Sequence, residues 1–223
     1  MGENRIKLVA ADMDGTLLNR ERKITKYTQN VIKKAMAQGV YFVPATGRAV
    51  NALPPELKEM EGIRYGIFSN GATIYDLKEE KVIYKNHFEM DRVLELMDFL
   101  KQFDLMESIS LNGQSYANKK EMENIDYYEL DSNTKAIVQG SRVLVDDLEM
   151  FVKEQSTTVE KTTLLFKTME ERRRAADALS KIEDIQFSSS LPKNIEISKK
   201  GCNKGDGLLH LAKSLGIKRE EVM

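Results

Sequence analysis

Apolar residues run from Ile6 to Ala11, broken only by Lys7, and give way to polar ones at Asp12. A short apolar run with an abrupt polar end predicts a buried strand. From about Lys26 to Gln38 the spacing changes. Val31, Ile32, Ala35 and Met36 recur on one face of a helix, with Thr25 placed to cap its start and Gly39 its end. Val40 to Ala45 predicts a second strand, and Tyr65 to Phe68 a third, with a helical stretch broken by Pro54-Pro55 between them. Strand, helix, strand, helix, strand is the order of a parallel sheet with helices on its faces. Each strand runs into a polar loop: Asp12-Met13-Asp14-Gly15-Thr16, Thr46-Gly47-Arg48 and Ser69-Asn70-Gly71-Ala72. Open α/β sheets bind ligands at the carboxyl ends of their strands, so these loops can converge on one site.

The rhythm then alters. Ala72 to Asp76 and Lys81 to Lys85 predict a hairpin turning at Leu77-Lys78-Glu79-Glu80. Over residues 86–190 helices and strands alternate without comparable loops, with amphipathic segments at Met90 to Phe103 and Glu170 to Ile182 and strands at Lys161 to Lys167 and Ile185 to Ser189. This block reads as an inserted α/β domain. Asn194 to Ser198 reads as a return to the first domain. Gly201-Cys202-Asn203-Lys204-Gly205 then leads into a last helix with Leu208, Leu211, Ala212 and Leu215 inside and Gly216 at its end. The expected division is residues 1–85 and 191–223 for the core and 86–190 for the insert.

Composition narrows the function. A chain of 223 residues suffices for one large or two small domains. With 41% hydrophobic and 31% charged residues it has the make-up of a globular protein, and its net charge of −1 offers no basic surface to nucleic acid or membrane. No apolar run approaches a membrane span, and the first residues lack the apolar core of a signal peptide. One cysteine permits no intrachain disulfide, which fits a reducing, cytoplasmic setting.

The candidate chemistry centres on Asp12 and Asp14. In an extended segment residues i and i+2 point to the same side, so two carboxylates at a strand tip can share a hard cation and a reacting group. One carboxylate can act as nucleophile and form an aspartyl-phosphate. Its neighbour can protonate a leaving oxygen and later activate water. Gly15 lets backbone N–H groups approach a phosphate, and Thr16 adds a hydroxyl. Taken alone, Asp-x-Asp more often caps a turn. Arg48 reads equally well as a salt-bridge partner and as a substrate contact. Cys202 has no local histidine, His87 and His210 lack metal-ligand spacing, and Arg172-Arg173-Arg174 reads as a solvated helix face.

The motifs in their order resemble those of the haloacid dehalogenase superfamily. Asp-Met-Asp-Gly-Thr-Leu-Leu after an apolar strand is similar to its first motif, Thr46-Gly47-Arg48 to its second, and Lys204 at a helix start to its third. Ser69-Asn70-Gly71-Ala72 resembles a loop of the Cof-type subfamily, whose members carry a large cap where the insert lies. The resemblance spans essentially the whole chain. It implies a Rossmann-like α/β core with an inserted α/β cap acting as a lid, and a phosphatase of small phosphorylated metabolites, above all sugar phosphates. By this resemblance Asp12 is the nucleophile, Asp14 the general acid/base, Thr46 the phosphate-binding hydroxyl and Lys204 the neutralising cation. Gly15, Thr16, Gly47, Arg48, Asn70 and Gly71 would contact phosphate or substrate. Mg²⁺ would sit on the Asp12 carboxylate and the Asp14 backbone carbonyl, a cation that keeps several waters.

A fourth, acidic motif of that superfamily, which completes the metal site, has no counterpart. The last residues, Arg219-Glu220-Glu221-Val222-Met223, stand where its strand is expected to begin, so the core is expected to be incomplete there. Two further functions stay open: a phosphomutase or phosphotransferase, in which a sugar hydroxyl replaces water, and a catalytically weak phosphate-binding or regulatory protein. Oligomeric state is not legible.

Overall fold

The structure is a computed structural model and describes residues 5–19 and 21–223. It divides into two compact units, one of residues 1–85 and 202–223 and the other of residues 86–201.

In the first unit, β1 (Leu8–Asp12), β2 (Tyr41–Ala45) and β3 (Tyr65–Phe68) pair in that order as parallel strands. A hairpin of β4 (Thr73–Asp76) and β5 (Lys81–Lys85) extends the sheet in antiparallel fashion. Helix α1 (Lys26–Ala37) starts at Thr25, whose side chain accepts a hydrogen bond from the Thr28 backbone N–H, and is followed by Gly39 at φ +83°. The short α2 (Pro55–Lys58) places Pro55 in its first turn, where a missing N–H costs no helical bond.

Period-2 alternation sorts the side chains of this sheet into two cores. Phe42 and Phe68 pack with Ile32 and Leu57 on one face. Leu8, Val43, Ala45 and Ile67 pack on the other with Leu211 and Ala212 of α8 (Lys204–Ser214). Beyond the free side of β1, Met223 N–H donates to Leu8 O at 2.9 Å and Ala10 N–H donates to Met223 O at 2.8 Å, in a parallel bridge at Leu8 and Val222.

The second unit is built on a sheet in the order β10-β11-β9-β6-β7-β8. These strands are β6 (Leu105–Leu111), β7 (Gln114–Asn118), β8 (Arg142–Val145), β9 (Val159–Phe166), β10 (Ile185–Ser188) and β11 (Asn194–Lys199). All neighbours are antiparallel except β7 and β8. One face carries α3 (Met90–Leu100), α6 (Leu148–Lys153) and α7 (Met169–Leu179) over a core that includes Ile109, Leu164, Phe166 and Ile195. Against the other face pack Met122 of α4 (Lys119–Glu123) and Val138 of α5 (Ser132–Gly140), with Met106, Ala117 and Leu165.

One expected boundary is corrected. Residues 194–198, read as the core's return, lie in β11 (Asn194–Lys199) of the second sheet, hydrogen-bonded to β9 on one side and β10 on the other. The passage between units falls after Gly201 rather than at 190. An alternating run such as Asn-Ile-Glu-Ile-Ser states that a strand exists, while its sheet depends on partners distant in sequence.

Candidate active site

The carboxyl ends of β1, β2 and β3 and the first turn of α8 carry the candidate residues of the first unit. Asp12 closes β1 with extended backbone, and Asp14 is extended as well (φ −78°, ψ 120°). Between them Met13 is fully buried, so alternation turns its side chain into the core and leaves both aspartates toward solvent. Gly15 follows at φ +80°. A β-carbon there would meet nothing within 4 Å, so the left-handed backbone alone, and not crowding, calls for glycine.

Lys204, the first residue of α8, places Nζ 2.7 Å from Asp12 Oδ1. The same oxygen accepts the Met13 backbone N–H at 2.8 Å. Two donors on one oxygen, one a cation, fix the carboxylate in orientation. The start of α8 is itself anchored. Asn203 caps the helix by accepting the Asp206 backbone N–H at 2.8 Å, and its amide donates to Asp206 Oδ2 at 2.6 Å.

Gly71, at φ +98°, lets the third loop touch this helix start: a β-carbon on it would fall 2.2 Å from Asn203 O. Gly207 adds to the close approach, since a β-carbon there would lie 3.4 Å from Gly71 Cα. The reach of Lys204 to Asp12 therefore depends on two glycines and an asparagine cap. Of these, the sequence assigns a role to Gly71 alone, as a contact to phosphate or substrate by resemblance. The Asn-x-x-Asp pattern was the available signal for the cap.

Thr46 sits at the end of β2, fully buried, with Oγ1 accepting the Arg48 backbone N–H at 3.1 Å. Asn70 (φ +60°) donates its backbone N–H to Thr46 O at 3.0 Å, and Ser69 donates to Arg48 O at 2.9 Å. These bonds clamp the second and third loops together. The Arg48 guanidinium spans to the first loop, with Nε 3.0 Å from Asp14 Oδ2 and Nη2 2.7 Å from Asp14 Oδ1. Thus Asp12 meets Lys204, Asp14 meets Arg48, and Thr46, Gly47, Arg48, Asn70 and Gly71 lie on two joined loops. Gly15 and Thr16 belong to the turn after Asp14.

Among the described residues no group of three His, Cys, Asp or Glu side chains is placed to hold a metal ion. The Asp12 carboxylate and the Asp14 carbonyl are hard oxygen donors. They suit Mg²⁺ as part of a shell whose remainder is water, since Mg²⁺ is commonly bound through one or two carboxylates. No helix of the described residues is long and apolar enough to cross a membrane.

Comparison with known proteins bears on the family and the fold. Residues 9–223 match the model of the haloacid dehalogenase-like hydrolases. A putative phosphatase of Buchnera aphidicola is 38% identical over 121 residues, covering 53% of this chain and 43% of its own length. The chain thus spans less than half of that relative. The 5-amino-6-(5-phospho-D-ribitylamino)uracil phosphatase of Bacillus subtilis is 26% identical over 222 residues, covering 98% of this chain and 75% of its own. A solved haloacid dehalogenase-like hydrolase from B. subtilis superposes with a TM-score of 0.82 at 24% identity, over 97% of this chain and 81% of its own, a likeness of fold. With the motif loops gathered at the ends of three parallel strands and the match covering residues 9–223, the chain belongs to the haloacid dehalogenase-like hydrolases.

Proposed function

We propose that this chain is a phosphomonoester hydrolase acting on small phosphorylated metabolites. The observation that carries the reading is Lys204 Nζ at 2.7 Å from Asp12 Oδ1, with a second carboxylate two residues away. In this reaction an Asp12 oxygen attacks phosphorus, the ester P–O bond breaks, and Asp14 gives its proton to the departing oxygen. Asp14 then takes a proton from water, which attacks the aspartyl-phosphate, releases inorganic phosphate and restores Asp12. Lys204 offsets the charge brought together by carboxylate and phosphoryl oxygens, as a compact point charge can. Backbone N–H groups around Gly15 and Gly47, with the Thr46 hydroxyl and Asn70, are the donors proposed to meet those oxygens. Mg²⁺, held by the Asp12 carboxylate and the Asp14 carbonyl, would supply further positive charge to the phosphoryl group.

Sugar-derived phosphates are the proposed substrates, in keeping with the phosphoribityl compound named for the B. subtilis relative. A cytoplasmic setting belongs to the same proposal. A second reading, a weak catalyst that chiefly binds phosphate, is favoured by the lack of a third metal-ligating side chain among the described residues. Hydrolysis of p-nitrophenyl phosphate with and without Mg²⁺ separates the two. Turnover that needs Mg²⁺ and falls by about a thousandfold or more in Asp12→Asn is expected, the scale on which a lost nucleophile acts. Turnover that survives this substitution refutes the mechanism. Phosphate binding with no turnover at micromolar enzyme selects the second reading.

A further inference from the structure

Arg48 spends its guanidinium on the protein. Nε and Nη2 engage the two oxygens of Asp14 at 3.0 and 2.7 Å, and Nη1 donates to Ala52 O at 3.2 Å. Its main chain is held as well: its N–H donates to Thr46 Oγ1 at 3.1 Å, and its carbonyl accepts the Ser69 N–H at 2.9 Å. One residue thus links all three loops of the sheet. The side chains of Arg48 and Asp14 are 27% and 57% exposed, a setting in which an ion pair adds little to stability. Its geometric content is larger. Two parallel N–H···O bonds fix both the position and the plane of a carboxyl group, which a lysine cannot do. Asp14 stands in special need of such a hold, because it sits beyond the end of β1, next to a glycine in left-handed conformation.

We infer that Arg48 is a positioning residue for Asp14 and not a ligand of the substrate's phosphate. The inference rests on the reading of Asp14 as general acid/base. A carboxyl group that hands a proton to a departing oxygen and then takes one from water must stay within hydrogen-bond reach of both. A displacement of about 1 Å from such a geometry can cost on the order of a hundredfold in rate.

The test compares two substrates that differ in their need for the proton. An alkyl phosphate releases a basic alkoxide and depends on the acid, whereas p-nitrophenolate departs without one. In Arg48→Lys and Arg48→Ala, kcat/KM for the alkyl phosphate is expected to fall about 10- to 100-fold. For p-nitrophenyl phosphate it is expected to change less than about threefold, because that step does not use Asp14 as an acid. In an Asp14→Asn background, Arg48→Ala is expected to add almost nothing, the mark of two residues acting as one unit. Binding of inorganic phosphate, measured by calorimetry, should stay within about twofold, since no phosphate contact is removed. Phosphate binding weakened about tenfold or more, with equal losses on both substrates, would make Arg48 a phosphate ligand and overturn the inference. A loss that persists undiminished in the Asp14→Asn background would overturn it too, as the mark of a structural role. If Asp14→Asn itself leaves alkyl phosphate hydrolysis intact, the acid/base reading fails and takes this role with it. If Asp14→Asn is impaired and Arg48→Ala is not, only the role of Arg48 falls.

Discussion

The ion pair Lys204–Asp12 of the first unit spans 2.7 Å with side chains 35% and 45% exposed, whereas Lys161–Glu196 of the second spans 2.8 Å with side chains 7% and 9% exposed. Their lengths are nearly the same and their settings opposite. The first lies at a strand end and a helix start, where parallel strands deliver their loops to one side of a sheet. The second lies within β9 and β11, where Glu196 also accepts from Ser190 Oγ at 2.5 Å and Asn194 Nδ2 at 3.3 Å. Exposed charges of this kind can trade partners with a ligand or water. A buried pair with its remaining lone pairs filled is committed to the fold. Nearness of opposite charges therefore says little about function, and exposure at a topologically shared end says more.

The largest expected effect comes from breaking the buried pair on one side only. Glu196→Ala takes from the buried Lys161 ammonium its carboxylate partner at 2.8 Å, and is expected to cost about 3–5 kcal/mol in urea unfolding of the second unit's transition. The double variant Lys161→Met with Glu196→Leu should cost clearly less. Equal costs would mean that lost packing, and not the stranded charge, dominates.

Gly71→Ala attacks the first unit where its backbone leaves no room. The added methyl meets Asn203 O at 2.2 Å and requires φ +98°, so a loss of about 2–3 kcal/mol is expected. Turnover in the proposed phosphatase reaction should fall with it, because the contact places the helix that carries Lys204. Turnover kept at the wild-type level in this variant would show that the helix start tolerates displacement.

A third effect separates the units by pH. Glu107 of β6 has Oε1 buried without a hydrogen-bond partner, and burial, with Glu121 and Glu149 as further causes, pushes its carboxyl up to about 8. Glu121 is itself raised, chiefly by burial, and Glu149 is lowered by its bonds to Lys153 and Lys101. A carboxyl that is more easily protonated in the folded state stabilises fully below its unfolded value. That contribution is lost as pH rises toward 8. Stability of the second unit is thus expected to decline from about pH 4.5 to 8, by at most about 1.4 kcal/mol per pH unit for one proton. Glu107→Gln should flatten the decline, and an unchanged slope in that variant would place its origin in other groups.

The smallest effect belongs to a solvent-exposed pair. Lys153→Ala removes a 2.7 Å contact with Glu149 one helical turn away and is expected to cost no more than about 0.5 kcal/mol. A larger loss would mean that Glu149, which also meets Lys101 at 3.0 Å, works as a network.

By itself, the sequence determined what depends on neighbours along the chain. Apolar runs ending in Ala11, Ala45 and Phe68 announced three strands, Thr25 and Gly39 bounded a helix, and Leu77 to Glu80 announced a hairpin. Ordered motifs on strand ends also pointed to one constellation, because strands of a parallel sheet must open their loops to the same side. What only the tertiary structure decided are pairings between residues far apart: the 34-residue step from Asp14 to Arg48, the contact of Gly71 with Asn203, and the seat of residues 194–199 between β9 and β10. A strand's alternation tells which side chains share a face and is silent on which strand lies beside it. A glycine's reason for being where it is can be its own backbone, as at Gly15, or another segment's carbonyl, as at Gly71. Local pattern cannot tell these apart, since the distinction lies in atoms brought close only when the chain has folded.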